Sequence, residues 1–307
     1  MQTRRCGTQG PELTVIGYGA WEAGGDAWGP NTSETAVVEA MRAAIEAGIN
    51  WIDTAEVYGN GVSEGLVGKA LEGIRDSVTV ASKVAPAPEG SGFHPEQIRA
   101  ACDASLTRMG IDVIDLYQLH WPDDHIPVED AWATMVELQR EGKVRSIGVS
   151  NFDRDQIERC IRVHHVDSLQ QEFSMVTLED RELIAWCGEV GVGVVTYSPL
   201  GAGLLTGAVA PDTVFEADDW RASEGQTLFG PDNLPRHLAL VEALRPIAAD
   251  LEISLAQLAL AWNIAQPGVT AAIAGSRNAD HVRTNAAAGD IVLDDATRAA
   301  IDALIGG

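Results

Sequence analysis

The stretch GINWIDTAEVYGNG, residues 48–61, decides how this chain folds. It opens on a short apolar run that ends at Asp53, then turns through Tyr58 into Gly59, Asn60 and Gly61. A run of that length bounded by glycine reads as a buried strand followed by a tight turn. Two later runs repeat the form: VTVASK (78–83) closes on Lys83, and IDLYQLH (114–120) closes on His120. A helical pattern follows each, so the chain reads β-α-β-α with polar groups at the carboxyl ends of strands. In a closed parallel barrel those ends form one rim, and the rim is where chemistry belongs. Asp53, Tyr58, Lys83 and His120 are therefore the candidate catalytic residues.

Outward from this segment the same alternation continues. Strand candidates lie near 14–19, 49–53, 78–83, 114–120, 145–149, 167–170, 192–197 and 269–274. Between them, the helical pattern of residues 33–48 begins at Ser33 as N-cap and stops at Gly48. Further helices are expected from Ser63 to Gly73, Pro95 to Gly110 and Pro127 to Gly142, with the fifth to seventh in DRDQIERCIRVH, LEDRELIAWCGEVG and SLAQLALAWNIAQPG. An extra helix lies in PRHLALVEALRPIAAD, and LDDATRAAIDALIG is the last. Alternation alone admits an open doubly wound sheet or a closed barrel. The open sheet calls for GxGxxG after the first strand, where this chain has GYGAW, and no Walker A motif occurs. The expectation is a (β/α)8 TIM barrel in one domain over residues 1–307. The opening pair TRRCGTQG and ELTVIG suggests a β-hairpin plugging the far end. A long loop, 201–232, follows the seventh strand; irregular stretches of that length are usually functional.

Composition narrows the partners. The formal charge of −24 argues against nucleic acid and against an anionic membrane surface. No run approaches the roughly eighteen apolar residues of a spanning helix, and the first residues lack a signal-peptide pattern. Cys6, Cys102, Cys160 and Cys187 are scattered, without CxxC or zinc spacing, which suits reduced thiols and a cytoplasmic protein. No metal is expected, and a monomer is favoured over a homo-oligomer.

The candidates suit one chemistry, proton delivery to a carbonyl. A free phenol has a pKa near ~10 and donates poorly at neutral pH. An adjacent ammonium, Lys83, is expected to lower that of Tyr58, with Asp53 keeping the lysine charged and oriented. His120 can hydrogen-bond the carbonyl oxygen as hydride arrives. In GVSNF (148–152), Ser150 and Asn151 offer partners for a carboxamide, and Gln170 can complete the clamp. Tyr197 presents a ring for nicotinamide to stack on. Ser198, Leu200 and Gly201 begin a turn whose amides can take pyrophosphate oxygens. Ser276 and Arg277 can grip a 2′-phosphate. Trp21, Trp121, Trp220 and Phe229 are candidate walls for an apolar or aromatic aldehyde, with a sugar or inositol as the alternative.

The chain resembles the aldo-keto reductase superfamily over essentially its whole length. The resemblance rests on residues 48–71, IDLYQLHWPD (114–123), VRSIGVSNF (144–152), TYSPLGAGLLTG (196–207) and AIAGSRNADHVRTN (272–285), in that order. The spacing of HWPDD is similar to that of bacterial general-stress and inositol-locus members and of the potassium-channel β-subunit branch. The resemblance implies an eight-stranded barrel that holds an extended nicotinamide cofactor, NADPH ahead of NADH, without a Rossmann motif. It makes Asp53, Tyr58, Lys83 and His120 the catalytic tetrad. Gly19, Trp21, Asp53, Ser150, Asn151, Gln170, Tyr197, Ser198, Leu200, Gly201, Leu204 and Gly275 become cofactor contacts, with Ser276, Arg277, His281 and Asn285 at the adenosine end. Glutamine is usual where His281 stands and glutamate where Thr284 stands, which bears on cofactor preference. The substrate implied is a small carbonyl compound or alcohol. Two other readings share these residues: a polyol or sugar dehydrogenase, and a slowly turning cofactor-sensing protein.

Overall fold

The computed structural model describes residues 1–25, 27–28, 33–86, 91–223 and 225–306. An antiparallel hairpin, β1 (Thr3–Arg5) and β2 (Glu12–Thr14), comes first. Eight parallel strands follow: β3 (Ile16–Gly19), β4 (Trp51–Asp53), β5 (Thr79–Val84), β6 (Ile114–Leu119), β7 (Val144–Ser150), β8 (Ser168–Glu172), β9 (Gly193–Tyr197) and β10 (Val269–Ile273). They close in the order β10-β3-β4-β5-β6-β7-β8-β9, β10 pairing with β3 through Ala272 and Ile16. This is the expected (β/α)8 barrel. The sequence reading began its first strand at residue 14, but Thr14 belongs to the hairpin. Its sixth strand stopped at Gln170, two residues short of the observed end at Glu172.

The strands are short and apolar because both faces are covered, one by the barrel interior and one by helices. Trp51, Trp132, Trp262 and Tyr117 are fully buried in this core. Gly17 on β3 is required by the packing, since a Cβ there would lie 2.1 Å from the Trp51 ring. The Trp51 indole N–H donates to the Thr14 carbonyl at 2.9 Å, joining hairpin to barrel. Arg4 of β1 donates to the carbonyls of Ile264 and Val269, where β10 begins. The hairpin thus sits at the amino ends of the strands, opposite the rim that carries the candidates.

The helices between strands are α1 (Glu34–Glu46), α2 (Val62–Leu71), α3 (Pro95–Met109), α4 (Val128–Arg140), α5 (Arg154–Val163) and α6 (Arg181–Glu189). Ser33 caps α1 by accepting from the Ala36 N–H, and a reciprocal capping box of Asp153 and Gln156 starts α5. Helix α2 starts one residue before Ser63 and is capped by Gly61, because the Ser63 hydroxyl is turned inward to donate to the Ala20 carbonyl at 2.7 Å.

The loop after β9 is less irregular than its sequence suggests. It contains two 3₁₀ turns, Leu204–Thr206 and Trp220–Ala222, and a short helix, α7 (Gln226–Phe229). Residue 224, within the stretch 201–232, lies outside the described residues. After it come α8 (Leu234–Asp250), α9 (Leu255–Ile264), α10 (Ala279–Ala287) and α11 (Asp295–Ile305).

Candidate active site

Barrel closure turns three strand ends into one cluster. Asp53 is the last residue of β4, Lys83 lies one residue from the end of β5, and His120 follows β6. The Lys83 ammonium is fully buried and donates to Asp53 Oδ1 at 2.6 Å, the Thr54 carbonyl at 2.9 Å and Tyr58 Oη at 3.2 Å. Those three bonds use all of its protons. Gln170 Nε2 donates to the other Asp53 oxygen at 2.9 Å, so the carboxylate is held from both sides.

Tyr58 reaches the cluster because its turn is over-determined. Gly59, Asn60 and Gly61 all have positive φ, of 59°, 51° and 91°. A Cβ at Gly59 would come 2.2 Å from the Gly24 carbonyl oxygen, so only glycine lets this turn pack against the loop after β3. The Ser63 N–H donates to the Tyr58 carbonyl, and the Thr54 and Ser63 hydroxyls bond each other at 2.8 Å beneath. His120 faces Tyr58 edge to face, their ring centres 5.7 Å apart.

The electrostatics depart from the sequence expectation at one point. Tyr58 was expected to have a lowered pKa, yet its phenol lies above the ordinary value. Burial raises it, Lys83 pulls it down, and Asp53 behind the ammonium raises it again. For Lys83, burial disfavours the ammonium, but Asp53 and Tyr58 outweigh that and leave its pKa above the ordinary lysine value. His120 is held well below the usual histidine range, by burial and then by the Lys83 charge. At neutral pH the cluster therefore contains an ammonium, a protonated phenol and a neutral imidazole. The His120 Nδ1 is buried without a hydrogen-bond partner.

The cluster forms the floor of a cleft of about 1070 Å³ along the rim. Ser150, Asn151, Gln170 and Tyr197 line it on one side, and the Tyr197 hydroxyl donates to Asn151 Oδ1 at 2.8 Å. Asn151 Nδ2 in turn donates to the His120 carbonyl at 3.1 Å, so this side is tied to the tetrad candidates. Ser198 and Leu200 continue the wall, while Gly19, Gly275, Ser276, Arg277, His281 and Asn285 line the far end. Gly201 and Leu204 are not on the wall. Leu204 turns fully into the core, and Gly201 packs inward, where a Cβ would meet Val176 at 2.9 Å. Trp21 and Trp121 line the cleft as expected. Trp220 packs against Trp21 at a tilt with ring centres 5.5 Å apart, and Phe229 packs on Phe215, which is itself the wall residue.

Sequence reasoning missed four residues here. Trp28 pairs with Asp219 in a short antiparallel bridge, and the Trp220 N–H donates to the Ala27 carbonyl at 2.9 Å. The loop after β3 and the loop after β9 are thereby fastened to each other across the cleft. Arg221 is forked onto Asp219 and lies over the Trp28 ring at 5.3 Å. Glu22 lines the far end beside Arg277, their nearest charged atoms 3.5 Å apart. Only Glu22 left a signal, an acidic residue in the otherwise small and aromatic segment GAWEAGG.

A closed parallel barrel with titratable groups gathered at its carboxyl rim, beneath an elongated cleft, is the architecture of a barrel enzyme. The model of the aldo/keto reductase family matches residues 15–305, and the chain belongs to that family. It is an oxidoreductase. It is 34% identical over 310 residues to the NADH-specific methylglyoxal reductase of Escherichia coli K12, covering 94% of each chain. Among solved structures it is similar to a glycerol dehydrogenase from Gluconobacter oxydans (TM-score 0.88, 30% identity, covering 99% of this chain and 94% of that one). It is also similar to an aldo-keto reductase from Klebsiella pneumoniae in complex with NADPH (TM-score 0.78, 31% identity, covering 99% and 96%).

Proposed function

We propose that the chain reduces small aldehydes or ketones to alcohols, reversibly, with Tyr58 as the general acid. The observation that carries this is the three-way ligation of buried Lys83 by Asp53, Thr54 and Tyr58. It fixes a protonated phenol at the cleft floor with a permanent positive charge behind it.

The cleft fits a nicotinamide dinucleotide by its donor set. Ser150, Asn151 and Gln170 suit a carboxamide, the Tyr197 ring suits a flat heterocycle, and Arg277 with the Ser276 hydroxyl suits phosphate oxygens. The volume, about 1070 Å³, is at the upper end for small-molecule sites and leaves space for a substrate. When bound, the reduced cofactor supplies hydride to the carbonyl carbon. The residues of the chain do the rest. Tyr58 and neutral His120 orient the carbonyl oxygen by hydrogen bonds, and Tyr58 gives its proton to that oxygen as negative charge develops. The raised phenol pKa keeps this donor loaded at neutral pH. Lys83 stabilises the phenolate that remains, and Asp53 keeps Lys83 charged.

Arg277 favours NADPH, in keeping with the NADPH complex of the Klebsiella relative, while the NADH-specific Escherichia coli relative keeps NADH in view. Trp21, Trp28, Trp121 and Phe215 favour a small substrate with an apolar side. A polyol oxidised in the reverse direction is the second reading, supported by likeness to the glycerol dehydrogenase. The HWPDD spacing keeps the bacterial general-stress and inositol-locus members, together with the potassium-channel β-subunit branch, as the proposed subgroup. The test follows the absorbance of reduced nicotinamide with NADPH and NADH against aromatic aldehydes, methylglyoxal and sugars, and NADP+ or NAD+ against glycerol. Turnover abolished in Tyr58→Phe supports the proposal. Tight cofactor binding without turnover on any substrate in either direction would overturn it in favour of a sensing role.

A further inference from the structure

The far end of the cleft holds an anion of its own. The Glu22 carboxylate lies 3.5 Å from Arg277 Nε, with both side chains mostly buried. It also accepts a hydrogen bond from the Arg277 backbone N–H, and Arg221 and His281 add to its positive surroundings. Arg277 Nη2 donates to the Trp28 carbonyl at 2.8 Å, which turns the guanidinium toward the loop that bears Glu22. A protein carboxylate is thus surrounded by the groups that would receive a phosphate at this end. Burial nonetheless leaves Glu22 above the ordinary carboxylate range, the cations only partly offsetting it.

Resting on the reading of the cleft as a nicotinamide dinucleotide site, we infer that Glu22 is an internal competitor for the adenosine 2′-phosphate and sets the NADPH-over-NADH preference low. A phosphate bound at Arg277 must either displace the carboxylate or share its surroundings with a like charge, and both cost affinity. A cofactor that carries a 2′-hydroxyl meets no such opposition and leaves the Glu22–Arg277 pair intact. The acidic residue that follows Trp21 is then a specificity determinant, acting through Arg277 rather than on the reacting atoms.

Direct titration of the purified chain tests this without turnover, by quenching of tryptophan fluorescence or by calorimetry. The probes are NADP+ and NAD+, together with adenosine 2′,5′-bisphosphate and 5′-AMP to isolate the adenosine end. In Glu22→Gln, NADP+ and the bisphosphate should bind roughly tenfold tighter, the scale of a charge-assisted hydrogen bond released to a ligand. NAD+ and 5′-AMP should be unchanged, and the gain should vanish on an Arg277→Ala background. Glu22→Ala repeats the measurement should Glu22→Gln fold poorly. Equal tightening of all four ligands, no tightening of any, or a gain that survives Arg277→Ala would overturn the inference while sparing the functional reading. A wild-type chain that binds neither NADP+ nor NAD+ would overturn that reading, and the inference with it.

Discussion

The two ends of the cleft are built on opposite plans. At the Lys83 end the ammonium and the carboxylate are buried, fully paired and held at the ends of strands: three acceptors around one ammonium, and two donors on one carboxylate. At the Arg277 end the groups stand on loops, partly open to solvent, and the pairing is loose at 3.5 Å. Residues fixed by backbone register cannot drift, so the first end is preorganised for chemistry. Residues carried by loops can exchange partners, so the second suits a ligand that must enter, be held and leave. Substitutions at the first end should accordingly damage rate and stability, and those at the second should move affinity alone.

The widest separation between the ends is expected from Tyr58→Phe. Loss of a positioned acid should lower the rate of carbonyl reduction by about 10³-fold, within the usual range for general acid catalysis, and leave NADP+ affinity unchanged. Steady-state turnover and a binding titration on the same variant check this. A matching loss of cofactor affinity would mean that the two ends are not independent.

Lys83→Met should follow in size. Removing one partner of a buried ion pair typically costs about 3–5 kcal/mol, because the other charge stays buried without compensation. Urea unfolding should show that loss, and Asp53→Leu in the same chain should recover part of it. No recovery would mean that the Lys83–Thr54 bond, rather than the charge pair, holds this end together.

Arg277→Ala should do less. NADP+ affinity should fall by roughly tenfold, the worth of a guanidinium–phosphate contact in a partly exposed site, with kcat at saturating cofactor near that of the wild type. Titration and saturation kinetics measure the two halves of this expectation.

The contrast also explains what could be read from sequence. The preorganised end was legible because each residue closes an apolar run: Asp53, Lys83 and His120 are punctuation in a pattern of strands, and barrel closure brings them together. The sign of the Tyr58 shift was not legible. It depends on burial and on Asp53 lying behind Lys83, and both are distances in space that no spacing encodes. At the loop end, Arg277 could be named from AIAGSRN, but its partner Glu22 lies more than 250 residues away and meets it only once β10 pairs with β3. The fastening of Trp28 to Asp219 was invisible for the same reason. The burial of the Leu204 side chain was not legible either, because a glycine turn followed by two leucines does not say which of them packs inward.

The smallest expected effect is a pH dependence confined to the preorganised end. Burial and Lys83 hold His120 well below the ordinary histidine value. Over the interval between that depressed pKa and the unfolded value near ~6.5, the unfolded chain takes up a proton that the folded chain refuses. Stability from this group is therefore complete above the unfolded pKa and is lost as pH falls. Between pH 8 and pH 6 the loss should be about 0.8 kcal/mol, steepening below that toward about 1.4 kcal/mol per pH unit. His237 is also depressed, by burial beside α7, so the total slope is not that of His120 alone. The difference between wild type and His120→Gln isolates it. Urea midpoints taken at pH 8, 7 and 6 should converge as pH falls, because the variant lacks the group that charges. Parallel curves would mean that His120 takes up its proton in the folded state despite the Lys83 charge, and the neutral imidazole assigned to the cleft floor would have to be abandoned.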